Sequence, residues 1–122
     1  MRGQGFSAQF DPAPGAVARA RLFTRGLHVH LPEMLRACLE LVVSELAANA
    51  VLHAGTPFVV AVSVGPPLRV EVVDGSPEPP VRQDSAVDAP SGRGLRLVEA
   101  CSETWGYEVL PDGKVVWAEL RA

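Results

Sequence analysis

The stretch ELVVSELAANAVLHAG (residues 40–55) belongs to the most regular part of the sequence and decides the fold around it. Over residues 32–53, apolar side chains recur at steps of three and four, which is the pattern of a helix with one buried face. Neither glycine nor proline interrupts the pattern, and Gly55 followed by Pro57 ends it. The sequence therefore predicts a helix of about five to six turns.

Three polar residues of this helix are spaced four apart, namely Glu45, Asn49 and His53. A step of four residues returns to within about 40° of the same direction, so their side chains project as one stripe beside the apolar face. A carboxylate and an amide oxygen suit a hard cation such as Mg²⁺, which prefers oxygen ligands. A solvated helix flank is the alternative, and the spacing alone favours that alternative.

Two valine-rich runs follow and predict β-strands over residues 58–64 and 68–73, separated by a Gly-Pro-Pro turn. Asp74-Gly75-Ser76 comes directly after the second run. A carboxylate at a strand end can accept a hydrogen bond from a ligand amine, and small neighbours let a flat ring approach it. The alternative is an ordinary turn, since Asp-Gly is a common turn pair.

The segment DGSPEPPVRQDSAVDAPSG (residues 74–92) has a different composition from the rest of the chain. It contains four prolines and few apolar residues, and it is longer than most connections within a compact domain. A linker between two domains is excluded, because the roughly thirty residues beyond it are too few to bury a core. We therefore expect a loop that is either functional or disordered.

Ser91-Gly92-Arg93-Gly94-Leu95 lies between this loop and a helix that the pattern predicts over residues 93–104. Glycines before a helix N-terminus let backbone N–H groups face an anion, and the helix dipole adds to the attraction. The Arg93 guanidinium could bind a phosphate through two hydrogen bonds. The alternative is a flexible start to a helix, since the sequence is not a P-loop.

The remaining segments complete a two-layer arrangement. They predict a short strand near residues 6–10, a helix beginning near Pro14, and strands over residues 105–110 and 114–120 that are joined by Pro111-Asp112-Gly113. Antiparallel strands in one sheet with the helices on one face make an α/β (α+β) two-layer sandwich.

Composition narrows the class of protein. The chain has 122 residues and a formal net charge of −3, which fits a single domain over residues 1–122. Eleven basic against fourteen acidic residues argue against direct nucleic-acid binding. Apolar runs are too short for a membrane span, and the first residues lack the pattern of a signal peptide. With two cysteines at no metal-ligand spacing, a reduced cytoplasmic protein is expected.

The order of these segments resembles the GHKL ATPase superfamily of gyrase, the histidine kinases and MutL. Residues 40–55, VEVVDGSPEPP (70–80), SGRGLRLVEACSETWG (91–106) and PDGKVVWAEL (111–120) are closer still to one branch, the small anti-sigma factor serine kinases abundant in actinobacteria. Ten arginines beside a single lysine agree with a GC-rich genome of that kind. The resemblance covers roughly residues 10–121 and implies a Bergerat-type ATP-binding fold.

The resemblance also implies roles for the matching residues. Asn49 would coordinate Mg²⁺ through its amide oxygen, and Glu45 would orient or deprotonate the attacking hydroxyl. Asp74, followed by the small Gly75, would hydrogen-bond the adenine amine, and residues 75–90 would form a lid over ATP. The triphosphate would be lined by the backbone N–H groups of Gly92, Arg93, Gly94 and Leu95.

Three positions depart from the family pattern. Ser76 stands where the family often has glycine, and serine does not take a positive φ at the low cost that glycine does. Pro90 replaces an arginine that, in the better-known kinases, is expected to touch the terminal phosphate. Val115 occupies a position that is often threonine.

The function implied by the resemblance is that of an ATP·Mg²⁺-binding anti-sigma regulator that sequesters a sigma factor. Whether it also phosphorylates a serine of an antagonist protein stays open. The alternative is a non-catalytic interaction module of the same fold, which Pro90 and Ser76 favour, whereas Glu45 and Asn49 favour the enzyme. A homodimer is implied by the resemblance alone.

Overall fold

Three helices and five strands form the part of the chain that the computed structural model describes, residues 4–80 and 94–121. In chain order they are β1 (Gln4–Phe10), α1 (Ala16–Arg25), α2 (Glu33–Asn49), β2 (Phe58–Val64), β3 (Arg69–Asp74), α3 (Gly94–Cys101), β4 (Ser102–Leu110) and β5 (Gly113–Leu120). A π-helical turn, Ala50–Ala54, continues α2.

The strands form one sheet in the order β1-β2-β3-β5-β4, with every neighbouring pair antiparallel. In this register Phe58 pairs with Asp74, and Asp74 pairs with Lys114. The end of β3 therefore lies between the first residues of β2 and β5. The predicted two-layer α+β sandwich is confirmed.

Alternation along the strands decides which face of the sheet is covered. Val70, Val72 and Asp74 of β3 are buried on the side of the helices, whereas Arg69 and Glu71 lie on the other, partly solvated side. The buried set continues in α2, where the predicted buried apolar face is confirmed. The core includes Leu39, Val42, Val43, Leu46, Phe58, Val60, Val62, Leu95, Val98, Val116, Ala118 and Leu120.

Two predicted helix ends differ from the structure. α2 ends at Asn49 and continues to Ala54 only as the π-helical turn. α3 ends at Cys101, whereas the sequence predicted a helix to residue 104. The Ser102 hydroxyl donates to the Val98 carbonyl oxygen at the end of the helix, and Ser102 already pairs with Leu120 as the first residue of β4. Pairing with a distant strand thus outweighs the local helical pattern.

Candidate functional site

Asn49 is the last residue of α2 and only 9% of its surface is exposed. Its side-chain oxygen Oδ1 is buried and has no hydrogen-bond partner among the described residues. Leaving a buried acceptor without a partner costs about 1–3 kcal/mol, so such an atom calls for an explanation. An amide oxygen of this kind is a suitable ligand for a hard cation.

The π-helical turn begins directly after Asn49. The N–H of Gly55 donates to the carbonyl oxygen of Ala50 at 3.0 Å, and Gly55 has a φ of 66°, in the left-handed region that favours glycine. Single π-helical turns within helices are frequent at functional sites. His53 lies in this turn and is exposed, so it does not share the buried environment of Asn49.

Glu45 lies one helical turn before Asn49, half-buried in a cleft of about 560 Å³ between α1 and α2. Burial raises the pKa of Glu45, and the positive charge of Arg21 partly opposes that rise. Arg21 is itself held against α2, because its Nε donates to Ser44 Oγ at 3.0 Å. A raised pKa makes the carboxylate a stronger proton acceptor, as a general base requires.

Asp74 forms a buried ion pair with Lys114, a partner that was not predicted from the sequence. Lys114 Nζ lies 2.9 Å from Asp74 Oδ2 and 3.1 Å from Oδ1, and each side chain is 2% exposed. The same ammonium donates to the carbonyl oxygen of Ser76 at 3.3 Å. The signal for Lys114 was the period of two in β5, which places it on the same face as the buried Val116 and Ala118.

Ser76 fits its position without strain. None of the described non-glycine residues has a positive φ, so Ser76 adopts an ordinary backbone conformation. Its N–H donates to Asp74 Oδ1 at 2.9 Å, and its Oγ accepts the Glu78 N–H at 3.3 Å. Ser76 therefore introduces no positive-φ strain at this point.

Thr56 fixes the corner at the end of β3 and was also missed by sequence reasoning. Its Oγ1 accepts the N–H of Gly75 at 2.8 Å and donates to the carbonyl oxygen of Pro57 at 3.1 Å. The contact joins residues that are 19 apart in the sequence, so the local pattern carries no trace of it. Gly75 is thereby held beside the Asp74 carboxylate.

The glycine-rich segment is only partly described. α3 begins at Gly94, and the side chain of Leu95 is buried in the core. α3 packs against α2, so the two helices lie in the same layer. Gly92 and Arg93 lie outside the described residues, as do Pro90 and the other residues of the predicted lid from 81 onward.

These residues fit a nucleotide with Mg²⁺. Asn49 Oδ1 offers an unused acceptor, and each oxygen of the Asp74 carboxylate can accept two hydrogen bonds. Within residues 4–80 and 94–121, His, Cys, Asp and Glu side chains form no group of three or more that could hold a metal ion. Mg²⁺ is usually bound by one or two protein groups together with water and substrate phosphates, so a single amide oxygen can suffice as the protein ligand.

A membrane-spanning segment is absent from the described part of the chain, where the helices are too short or too polar to cross a bilayer.

Comparison with known proteins gives one family and a similar fold. The family model described as "Histidine kinase-like ATPase domain" matches residues 10–120. The crystal structure of the RsbU and RsbW domains of Rv1364c from Mycobacterium tuberculosis superimposes with a TM-score of 0.72 at 18% sequence identity. That alignment covers 97% of this chain and 32% of the mycobacterial chain, so this chain spans about a third of its length. No curated protein matches the sequence.

Proposed function

The chain belongs to the histidine kinase-like ATPase domain family, and from this premise we propose that it is an ATP·Mg²⁺-binding anti-sigma regulator that sequesters a sigma factor. The observation that carries the nucleotide part is the buried Asn49 Oδ1, which lacks a partner among the described residues. A ligand that supplies a cation to this atom would remove the cost of leaving it unpaired.

Each end of the nucleotide has a proposed set of residues. Asn49 would hold Mg²⁺, which when bound neutralises charge on the phosphates. Asp74, which Gly75 follows, would accept a hydrogen bond from the adenine amine. The triphosphate would be lined by the backbone N–H groups of Gly92, Arg93, Gly94 and Leu95 at the start of α3. In this proposal residues 1–122 form one domain, and residues 75–90 form its lid.

The regulatory part of the proposal rests on the sequence segments that resemble anti-sigma factor serine kinases. The likeness to a mycobacterial crystal structure that contains an RsbW domain supports the fold that such a regulator needs. The partners would be a sigma factor and an antagonist protein that carries the serine to be phosphorylated, and the same resemblance extends to a homodimer. The proposed site of action is the cytoplasm.

In phosphoryl transfer, Glu45 would orient the attacking hydroxyl or accept its proton. Its half-buried position and raised pKa support that role. In reactions of this type the protein contributes mainly positioning and charge neutralisation, so few side chains are needed.

A second candidate function is a module of the same fold that binds a partner without catalysis. The specific observation in its favour is the Lys114–Asp74 pair, because Lys114 neutralises the charge of the buried carboxylate without any ligand. Pro90 in place of the family's arginine favours it as well.

The two functions are distinguished by capture and phosphoryl transfer measured together. Immobilised wild type, Asn49→Ala and Glu45→Gln are each tested for capture of purified sigma factors and for transfer of labelled phosphate from ATP to antagonist proteins. If the chain is the proposed regulator, the wild type and both variants should capture the same sigma factor. Transfer should fall by about 10²–10⁴-fold in Glu45→Gln and be lost in Asn49→Ala.

Capture with no transfer by the wild type would favour the non-catalytic module. Loss of capture in Asn49→Ala, with the fold intact by circular dichroism, would show that partner binding depends on the nucleotide and would contradict the separable arrangement proposed here.

A further inference from the structure

Lys114 and Asp74 place groups of opposite hydrogen-bonding character at one point of the candidate site. The carboxylate can only accept hydrogen bonds, and the ammonium can only donate them. Because both side chains are 2% exposed and their closest atoms are 2.9 Å apart, they act as one buried unit. A base that reaches the end of β3 therefore meets an acceptor beside a donor and not a lone carboxylate.

Asp74 keeps capacity for a ligand, and Lys114 gains it when one of the three contacts of its ammonium is exchanged. Asp74 Oδ1 accepts hydrogen bonds from the Ser76 N–H and from Lys114, whereas Oδ2 accepts from Lys114 alone among the hydrogen bonds of the described residues. The third contact of the ammonium, with the Ser76 carbonyl oxygen, is its longest at 3.3 Å. It is the contact most readily exchanged for a ligand atom, since hydrogen bonds weaken as they lengthen.

Purines with an amino or an oxo group at position 6 differ by an interchange of donor and acceptor. Adenine presents a donor at N6 beside an acceptor at N1, and hypoxanthine presents an acceptor at O6 beside a donor at N1. A lone carboxylate accepts from the adenine amine and repels the oxo group. A carboxylate with an ammonium beside it can pair with either base. The carboxylate accepts from adenine N6 or from hypoxanthine N1, and the ammonium donates to adenine N1 or to hypoxanthine O6.

We propose that Lys114 sets the base specificity of this site, so that it accepts 6-oxo purine nucleotides as well as ATP; the inference rests on the proposed binding of ATP. ITP is the appropriate probe, because it differs from ATP at position 6 and N1 without adding the 2-amino group of guanine. A site that reads one edge by hydrogen bonds rejects the wrong analogue by on the order of 10⁴-fold. For this chain we expect the dissociation constants of ITP and ATP to lie within about tenfold of each other, measured as the ITP-to-ATP ratio.

The experiment is calorimetric titration of the full chain with ATP·Mg²⁺ and with ITP·Mg²⁺ at the same pH and ionic strength. Lys114→Met removes the donor and keeps the length of the side chain, and its ratio should rise above about 100. Lys114→Arg keeps a donor and should retain the wild-type ratio. Val116→Ala, two residues along the same strand, is the matched core control and should also retain it.

The outcomes separate this inference from the function beneath it. ATP binding with an ITP-to-ATP ratio above about 100 in the wild type would overturn the role of Lys114 and leave nucleotide binding standing. An unchanged ratio in a folded Lys114→Met would also overturn it. If circular dichroism shows that Lys114→Met does not fold, the ITP-to-ATP ratios of the wild type and of Lys114→Arg test the role of Lys114 instead. Absence of binding of either nucleotide to the wild type would overturn both proposals.

Discussion

Gly113 approaches Asp74 so closely that a Cβ built on Gly113 would lie 1.9 Å from the Asp74 carbonyl oxygen. Its φ of 159° is a backbone conformation that residues with a side chain rarely adopt, so the backbone and the close approach both favour glycine here. This approach sets the first residue of β5 against the last residue of β3. The next residue, Lys114, is thereby positioned opposite the Asp74 carboxylate.

The first prediction concerns Gly113→Ala. The added methyl group must push β5 away from the end of β3, and overpacking of this kind costs about 1–3 kcal/mol of unfolding free energy. The affinity for ATP should fall at least about tenfold, because the displacement moves the Asp74 carboxylate. Urea unfolding and calorimetric titration measure the two effects.

Gly5→Ala is the control for this prediction, because a Cβ at Gly5 would meet no atom within 4 Å. Its unfolding free energy should stay within about 0.5 kcal/mol of the wild type. A Gly113→Ala variant with wild-type stability and affinity would refute the positioning role.

The second prediction concerns the stability of the buried ion pair. Lys114→Met leaves the Asp74 carboxylate buried without its cation, and breaking a buried pair in this way costs about 3–5 kcal/mol. The double variant Asp74→Leu/Lys114→Met removes both charges and should recover most of that loss, although it destroys the site. Urea unfolding of the wild type, the single variant and the double variant gives the comparison.

Arg25→Met provides the exposed counterpart. Arg25 Nε lies 2.8 Å from Glu40 Oε1, but its side chain is 57% exposed, so the change should cost less than about 1 kcal/mol. If the double variant is as unstable as Lys114→Met, the loss does not arise from an uncompensated charge on Asp74.

The third prediction is a pH dependence from Glu45. Burial raises the pKa of Glu45 above its ordinary value of 4.5, so the folded state favours the protonated carboxyl. The resulting stabilisation is present below the unfolded pKa and is lost as the pH rises through the folded pKa. Glu45→Gln should therefore gain unfolding free energy relative to the wild type as the pH rises above 4.5.

Urea unfolding over this pH range gives the difference. In an Arg21→Met background the gain should be larger, because the Arg21 charge lowers the pKa of Glu45 and so limits its rise. Parallel pH profiles for Glu45→Gln and the wild type would show that Glu45 does not titrate differently on folding.

Much of the fold follows from local pattern. β2 occupies the predicted residues 58–64, because a valine-rich run lies there between a Gly-Thr-Pro stop and a Gly-Pro-Pro turn. The end of α3 does not follow from local pattern, since Ser102 leaves the helix to pair with Leu120, 18 residues further along the chain. Sequence spacing within a helix carries no information about such a partner.

The candidate site divides in the same way. The order of the motifs along the chain predicts Asn49 and Asp74 as site residues. Only the structure shows that Asn49 has a buried oxygen without a partner among the described residues, and that Asp74 is paired with the buried Lys114. Thr56 holds Gly75 through a tertiary hydrogen bond and was missed for that reason. Lys114 was detectable from the alternation of β5, although lysine at a buried position is rare enough that a solvated strand end is the default interpretation.

ATP·Mg²⁺ binding that depends on Asn49 is the central claim, and thermal unfolding tests it most directly. At one hundred times its dissociation constant a ligand stabilises a protein by about 2.7 kcal/mol, which for a chain of this length raises Tm by about 8–15 °C. We predict this shift for the wild type with ATP and Mg²⁺. It should fall sharply when EDTA replaces Mg²⁺ and in Asn49→Ala. No shift in the wild type at saturating ATP·Mg²⁺, or an equal shift in Asn49→Ala, would contradict the account.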